Sequence, residues 1–252
     1  MIIVRSEDTR HKAQLLRVLS AIADNPLLSE SLRFKGGTCA AMMGMLDRFS
    51  VDLDFDIKEK INLEELRGEF YRIFADLDLG IKDEAPDHLE FFLRYPGPSG
   101  ERNTLKIDAF GLIIKNNEYA PVYLPEIDRT LVCQTKETIF ANKLVAPLDR
   151  FKKRQTVAGR DVYDIHHFFF QGYRYRGKII EERTEKTVKA FLQELIAFVE
   201  EKVSQRLLEE DLNTLLLPEV FQKIRRNLKT ETLMFLRDEL ERINIAKINF
   251  EG

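Results

Sequence analysis

The sequence predicts an α+β fold, with strands and helices mixed in the first half of the chain and helices alone in the second half. Residues 52–57 alternate polar and apolar side chains with the period of two that is typical of a half-buried strand. Further strand-like runs occupy 79–82, 89–95 and 103–110, and a proline- and glycine-rich loop joins the last two as a hairpin. From Thr135 onward, apolar residues recur at helical spacing, which indicates a helical bundle.

The composition is that of a soluble globular protein. Of 252 residues, 44% are hydrophobic and 32% are charged, and no apolar run approaches the ~18–20 residues of a membrane span. The N-terminal residues lack the basic start and long apolar stretch of a signal peptide, and two cysteines cannot form a disulfide framework. We therefore expect a cytoplasmic protein that does not enter a membrane.

The segments on either side of the alternating strand read as helices and turns. Apolar spacing predicts amphipathic helices at 11–23 and 63–77. Between them, a short strand at 32–35 runs into Gly36 and Gly37, and a run of helix formers follows. The glycine pair is either a tight connection or, at a helix N-terminus, a place where backbone N–H groups hold a phosphate.

One face of the alternating strand is acidic. Asp52, Asp54 and Asp56 point to this face, and the apolar residues between them point to the core. Two carboxylates about 4 Å apart repel by roughly 4 kcal/mol at an effective dielectric near 20. A folded protein relieves this repulsion with a proton, with Lys or Arg, or with a divalent cation. Carboxylates at positions i and i+2 suit Mg²⁺, which takes one or two of them together with substrate phosphates.

A further acid, Asp108, lies on a later strand, on the face opposite the apolar residues of the run 105–109. It is either a solvated aspartate or a third carboxylate beside Asp52 and Asp54. In the second case it would complete a two-metal site or take the proton of an attacking hydroxyl.

A domain boundary is expected near residue 132. The segment 119–129 contains two prolines and is predicted to be a crossover, after which strand signals cease. Residues 1–132 would form a catalytic domain and residues 133–252 a helical domain.

The helical half contains three charged residues of interest. Helices are predicted at 137–148, from residue 160, at 181–205 and at 230–243. Lys143 is either a surface lysine or a functional cation. Asp161 and Asp164 share one helical face, which makes them either a cap and a surface pair or part of a site.

Two basic clusters in the same half are either solvated faces or a path for an RNA backbone. The net charge of −3 gives no global polycation, so any RNA contact must be local. The clusters comprise Arg150, Lys152, Lys153 and Arg154, and Lys223, Arg225, Arg226 and Lys229.

Four short motifs occur in order between Phe34 and Phe168. They read Gly36-Gly37-Thr38, Arg48-Phe49-Ser50-Val51-Asp52-Leu53-Asp54, Ala141-Asn142-Lys143-Leu144-Val145-Ala146 and Arg160-Asp161-Val162-Tyr163-Asp164-Ile165. This series resembles the AbiEii/AbiGii toxin family of the nucleotidyltransferase superfamily, whose members are DNA polymerase β-like. The resemblance implies a nucleotidyltransferase-like mixed sheet with flanking helices, followed by a C-terminal helical bundle. Val51 departs from the pattern, since an acidic residue often stands there, and the C-terminal third adds no match.

The resemblance also implies an enzyme that moves a nucleoside monophosphate from an NTP to an acceptor hydroxyl, with two Mg²⁺ ions. It implies RNA as the acceptor, such as a tRNA 3′ end, and a toxin role opposed by a cognate antitoxin protein. The alternatives are transfer to a protein hydroxyl, or nucleotide binding without turnover. The implied catalytic residues are Asp52, Asp54, Asp108, Lys143, Asp161 and Asp164, with Asp52, Asp54 and Asp108 as metal ligands. The implied nucleotide-binding residues are Lys35, Gly36, Gly37, Thr38, Arg48 and Ser50.

Overall fold

A computed structural model describes residues 4–59, 61–98, 100–111 and 114–248, and these residues form two compact units. The first unit holds the described residues up to 111 together with Glu118–Thr135. The second holds Ile114–Asn117 and the residues from Lys136 onward. The predicted boundary after residue 132 falls inside the last strand of the first unit.

The first unit is built on one mixed sheet. Its helical elements are a 3₁₀ turn (Ser6–Asp8), α1 (Thr9–Asp24), α2 (Pro26–Ser31), α3 (Gly36–Met42) and α4 (Leu63–Asp76). The strands are β1 (Leu32–Lys35), β2 (Asp52–Ile57), β3 (Gly80–Glu84), β4 (Leu89–Arg94), β5 (Thr104–Phe110), β6 (Tyr119–Leu124) and β7 (Arg129–Gln134). In the described part of the chain they form a single sheet in the order β3-β4-β5-β2-β1-β7-β6. The pairs β2–β5 and β1–β7 are parallel and the others are antiparallel.

The two faces of this sheet differ as the alternation in β2 predicts. Leu53 and Phe55 of β2 are buried, and on β4 Phe91 packs against the rings of Phe70 and Phe74 of α4 at 5.3 and 5.1 Å between centroids. Burial of these apolar faces drives the helices onto one side of the sheet. The acids and lysines of the strands point to the other side. The predicted hairpin between β4 and β5 is confirmed, although Ser99 of its loop lies outside the described residues.

The predicted crossover at 119–129 is wrong. This segment instead forms β6 and the turn of a hairpin, with Pro121 paired to Val132 of β7. Proline has no N–H to donate, which excludes it from a central strand but not from an edge. Since β6 is the last strand of the sheet, Pro121 costs it no ladder hydrogen bond on the open side.

The second unit consists of helices. They are α5 (Lys136–Arg154), α6 (Gly159–Phe170), α7 (Gly177–Thr184), α8 (Val188–Lys202), α9 (Gln205–Leu212), α10 (Pro218–Ile224) and α11 (Leu228–Ile248). The prediction of a single helix at 181–205 is wrong, because the helical structure is interrupted between α7 and α8. Glu185 takes a left-handed φ of 55° after α7, and the Thr187 side chain caps α8 by accepting from the Ala190 N–H at 3.3 Å. Apolar spacing continues across the break, so periodicity alone does not reveal it.

Candidate active site

Strand register brings charged residues from β2 and β5 together on the polar face of the sheet. Asp54 is paired with Asp108, and Asp52 is paired with Lys106. Paired residues of neighbouring strands point to the same face and lie roughly 5 Å apart at their backbones. Asp108 therefore stands beside Asp54, on the face to which the acidic alternation of β2 points.

The glycine bend before α3 lies directly against Asp54. Gly36 has a φ of +80°, in the left-handed region that favours glycine. A Cβ atom at this position would lie 3.0 Å from the Cβ atom of Asp54 and closer still to its Oδ2 atom. The absence of a side chain at residue 36 thus allows the bend to touch the carboxylate. This contact joins the first predicted motif to the second.

The next residues of the two motifs also meet. A Cβ atom on Gly37 would lie 2.6 Å from Ser50 Oγ and 3.3 Å from a guanidinium nitrogen of Arg48. Thr38 is fully buried, and its hydroxyl donates to the Asp52 carbonyl at 2.6 Å. Arg48 is buried and donates to the Phe49 carbonyl at 3.0 Å. Thr38 and Arg48 therefore fix the backbone around the bend and the start of β2.

Lys35 directs its ammonium group to Asp56. Its Nζ atom lies 2.6 Å from Asp56 Oδ1, while Tyr119 Oη and Gln134 Nε2 both donate to Oδ2 at 2.8 Å. Asp56 is buried, so these three donors compensate the charge that water would otherwise solvate. Sequence reasoning singled out neither Tyr119 nor Gln134. They come from β6 and β7, and only the sheet order brings them to β2.

Asp108 is held by a lysine of its own strand. Lys106 Nζ lies 2.9 Å from Asp108 Oδ2 and 2.5 Å from Glu90 Oε1 on β4. Burial disfavours the charged ammonium, but the hydrogen bonds with Glu90 and Asp108 outweigh it and raise the pKa of Lys106. The site thus carries a fixed positive charge that the sequence reasoning missed, because the pattern of β5 gives no register with β2 and β4.

The carboxylates suit a magnesium ion in chemistry and in number. Across the described ranges, no three His, Cys, Asp or Glu side chains stand close enough together to hold a metal ion. Mg²⁺ does not require three, since it is commonly bound by one or two carboxylates plus substrate phosphates and waters. Asp52 and Asp54 are half-buried on one face of one strand and supply that pair.

In the second unit, Lys143 and Asp164 form a buried ion pair. Lys143 Nζ on α5 lies 2.7 Å from Asp164 Oδ2 on α6, and the Asp164 side chain is fully buried. The alternative of a surface lysine is therefore wrong. A buried pair of this kind needs close geometry to offset the loss of hydration.

Asp161 is also buried and pairs with Arg150. Arg150 Nε and Nη2 lie 2.7 and 3.3 Å from the two carboxylate oxygens of Asp161. Asp161 makes no cap, because α6 begins after Ala158 without a side-chain capping bond. The alternative of a cap and an exposed surface pair is therefore wrong for Asp161 and Asp164.

Members of the two basic clusters have structural partners. Arg150 is bound to Asp161, and Lys229 Nζ donates to the carbonyls of Glu200 and Val203 at the end of α8, at 2.9 and 2.8 Å. A cation at a helix C-terminus is stabilised by the helix dipole.

The family of this chain is decided by its match to a family model. The model described as "Nucleotidyl transferase AbiEii toxin, Type IV TA system" matches residues 17–237, which include all four motifs. The chain belongs to the AbiEii family. It is accordingly a nucleotidyltransferase of a toxin family, and the match extends beyond Phe168 through most of the helical unit.

Solved structures share the AbiEii fold of this chain at low sequence identity. JHP933 from Helicobacter pylori is 20% identical, with a TM-score of 0.59 and coverage of 99% of this chain and 100% of that one. A putative nucleotidyltransferase from H. pylori is also 20% identical, with a TM-score of 0.60 and coverage of 95% and 99%. The nucleotidyltransferase toxin MenT4 from Mycobacterium tuberculosis is 18% identical, with a TM-score of 0.52 and coverage of 94% and 88%. No curated protein matches the chain.

Among the helices of the described residues, none combines the length and the apolar character that crossing a membrane requires.

Proposed function

We propose that this AbiEii protein transfers a nucleoside monophosphate from an NTP to the 3′ hydroxyl of an RNA, such as a tRNA, with magnesium as cofactor. In this proposal it acts in the cytoplasm as the toxin of a toxin–antitoxin or abortive-infection pair, and a cognate antitoxin protein restrains it. The observation that carries the proposal is the contact of Gly36 with the Asp54 carboxylate. In the proposal Gly36 belongs to the phosphate-binding bend and Asp54 to the metal-binding acids, and the two are in direct contact.

In this proposal, different residues of the first unit bind the magnesium and the phosphates. Asp52 and Asp54 hold magnesium, and the N–H groups at Gly36 and Gly37 hold the outer phosphates of the NTP. When bound, two magnesium ions would neutralise phosphate charge and lower the pKa of the acceptor hydroxyl. Thr38 bonds to the first residue of β2, and Arg48 and Ser50 lie against Gly37, so these three residues keep the bend in place.

In this proposal Asp108 acts on the acceptor. Asp108 is paired with Asp54 on the neighbouring strand, and its carboxylate would accept the proton of the attacking hydroxyl. Lys35 contributes positive charge beside the bend, and Asp56 fixes its position.

Lys143 supplies a second positive charge in the proposed mechanism, to offset the charge that builds on the phosphates as pyrophosphate leaves. Asp164 orients it through the 2.7 Å ion pair. Asp161, on α6 with Asp164, pairs with Arg150 of α5 and so helps to hold these two helices together.

The experiment is a transfer assay with the pure full-length chain. The protein is incubated with each α-labelled NTP, Mg²⁺ and either total RNA or a protein lysate, alongside the Asp52→Ala and Asp54→Ala variants. Label on RNA that requires Mg²⁺ and both acids supports the proposal. Label on polypeptide redirects it to a protein acceptor, and NTP binding without transfer to either redirects it to a binding module. Transfer that persists without both acids overturns the assigned chemistry.

A further inference from the structure

A cavity of about 640 Å³ opens in the second unit, and none of its lining residues belongs to the site described above. It lies between the end of α6, the loop that follows, the starts of α7 and α8, and one side of α11. This volume is in the range of small-molecule and cofactor sites, roughly 300–1,000 Å³.

Aromatic rings form much of the cavity wall. Phe169 and Phe235 stack with centroids 6.1 Å apart and planes at 23°, and Tyr175 meets Phe169 edge-on at 6.5 Å. Tyr173 adds a fourth ring. All four side chains are only partly buried, so ring surface remains open to the cavity. Flat aromatic surface of this kind binds unstacked nucleic-acid bases irrespective of their sequence.

Two cations at the cavity lack partners, within the residues the structure describes. Arg174 lies between the two tyrosines and is exposed, and Lys189 lies in the first turn of α8. By contrast, Arg242 on α11 is paired with Asp238 at 2.7 Å and with Glu239 at 3.7 Å. Three carboxylates, Glu181, Asp238 and Glu239, also line the cavity, so the formal charges of its wall balance, and Arg174 and Lys189 are the cations that remain open to a phosphate.

The cavity also offers a carboxylate for hydrogen bonding. Tyr175 Oη donates to Glu239 Oε1 at 2.9 Å. Burial and the charge of Glu239 raise the pKa of Tyr175, so its hydroxyl keeps the proton that it donates. A carboxylate in such a place can accept from the amino group of a base.

Two glycines bound the loop that carries these groups. Gly172 takes a φ of +71° after α6, and a Cβ atom on Gly177 would lie 3.0 Å from Val188 Cγ2. Between the two glycines, aromatic and basic residues alternate from Tyr173 to Arg176. This alternation is the composition expected of a single-strand nucleic-acid contact, where rings stack on bases and cations meet the backbone.

We infer that this cavity binds an unpaired nucleotide, with its base on the rings of Tyr173, Tyr175 and Phe169 and its phosphate at Arg174 and Lys189. The source of the nucleotide is the acceptor RNA, and in this respect the inference rests on the proposed function. The cavity would then hold the acceptor through one of its unpaired residues.

The test is equilibrium binding of a short single-stranded RNA with 2-aminopurine at its 3′ end to the full chain, without NTP. Stacking of the probe base on a ring changes its fluorescence. We expect Tyr173→Leu to weaken binding by about fivefold or more, which is the lower end of what the stacking of one base contributes. We expect the double variant Arg174→Ala with Lys189→Ala, which removes the contacts with the phosphate, to weaken binding as well. The double variant should also lower the slope of log K against log salt by about 0.7 for each phosphate that the protein no longer neutralises.

The matched control is Lys178→Ala, an exposed lysine in the next helix that does not line the cavity. Its binding should equal that of the unchanged protein. Equal binding by all variants, or binding of free mononucleotides but not of the RNA, would overturn the inference.

Transfer activity is measured on the same proteins, so that failure of the cavity inference can be distinguished from failure of the proposed function. If the cavity variants bind the probe normally and still label RNA, the cavity does not bind the acceptor, and the proposed function is unaffected. Cavity-dependent probe binding in a protein that labels no RNA supports the cavity and refutes the proposed reaction.

Discussion

The Asp54 carboxylate occupies the space that a Cβ atom on Gly36 would fill. A second glycine provides a matched comparison. Gly44 also has a positive φ, of 73°, but a Cβ atom there would meet nothing within 4 Å. The two positions share the backbone requirement and differ in contact with the acid.

We predict that Gly36→Ala lowers NMP transfer by roughly 10²-fold, because displacement of a reacting group by about 1 Å has this effect. Gly44→Ala should retain transfer. Each alanine at positive φ costs about 1–2 kcal/mol of stability, so denaturant unfolding of both variants is the control. An equal decrease of transfer in the two variants would show that backbone strain, and not the contact with Asp54, is responsible.

The buried pair of Lys143 and Asp164 allows a structural role to be separated from a catalytic one. Asp164→Ala leaves the largely buried ammonium of Lys143 without this counter-charge and should reduce the free energy of unfolding by up to about 3–5 kcal/mol. The double variant Lys143→Met with Asp164→Leu removes both charges and should recover most of this stability. If Lys143 acts on phosphate, transfer stays absent in the double variant.

The control for that series is Glu194→Ala, which breaks the pair with Lys186 in the same unit, whose side chains are 35% and 40% exposed. An exposed pair of this kind contributes only about 0–1 kcal/mol. Recovery of transfer together with stability in the Lys143 and Asp164 double variant would assign the pair a purely structural role.

Lys106 is predicted to restrain metal binding. Lys106→Met removes the cation that neutralises Asp108 and Glu90, so Mn²⁺ affinity measured by calorimetry without nucleotide should rise by about tenfold, or ~1.4 kcal/mol. Adding Asp108→Asn should cancel the gain. Lys82→Met, an exposed lysine on the edge strand β3, is the charge-matched control. An unchanged or lower affinity in Lys106→Met would contradict this role.

The hydrogen bond from Tyr119 to Asp56 is predicted to stabilise the first unit. Tyr119→Phe removes one of three donors to a buried carboxylate and should cost about 1.5–3 kcal/mol in urea unfolding. Tyr123→Phe, in the same strand, removes a bond to Asp128 from a side chain that is 56% exposed, and should change stability little. Similar effects of the two substitutions would mean that Asp56 does not depend on its buried donors.

Local patterns predicted the parts of the site that one segment of chain contains. The alternation of Asp52, Leu53 and Asp54 indicated a strand with an acidic face, because the side-chain period of a strand is two whatever its neighbours. The family resemblance drew attention to Gly36 and Lys143. Neither source indicated Lys106, Glu90 or Tyr119 as neighbours of the acids, since register and strand order join residues far apart in the chain.

By itself, the sequence determined the mixed α+β first half, the helical second half, the family and the residues that its motifs contain. The two halves follow from the periods of helices and strands, and the family follows from the resemblance that the motifs carry; all of these are properties of short segments. Only the tertiary structure decided that 119–129 forms an edge hairpin, that Asp161 and Asp164 are buried with cations, and that Lys106 holds Asp108. Burial and strand pairing depend on free energies summed over distant contacts, and no short segment contains both partners.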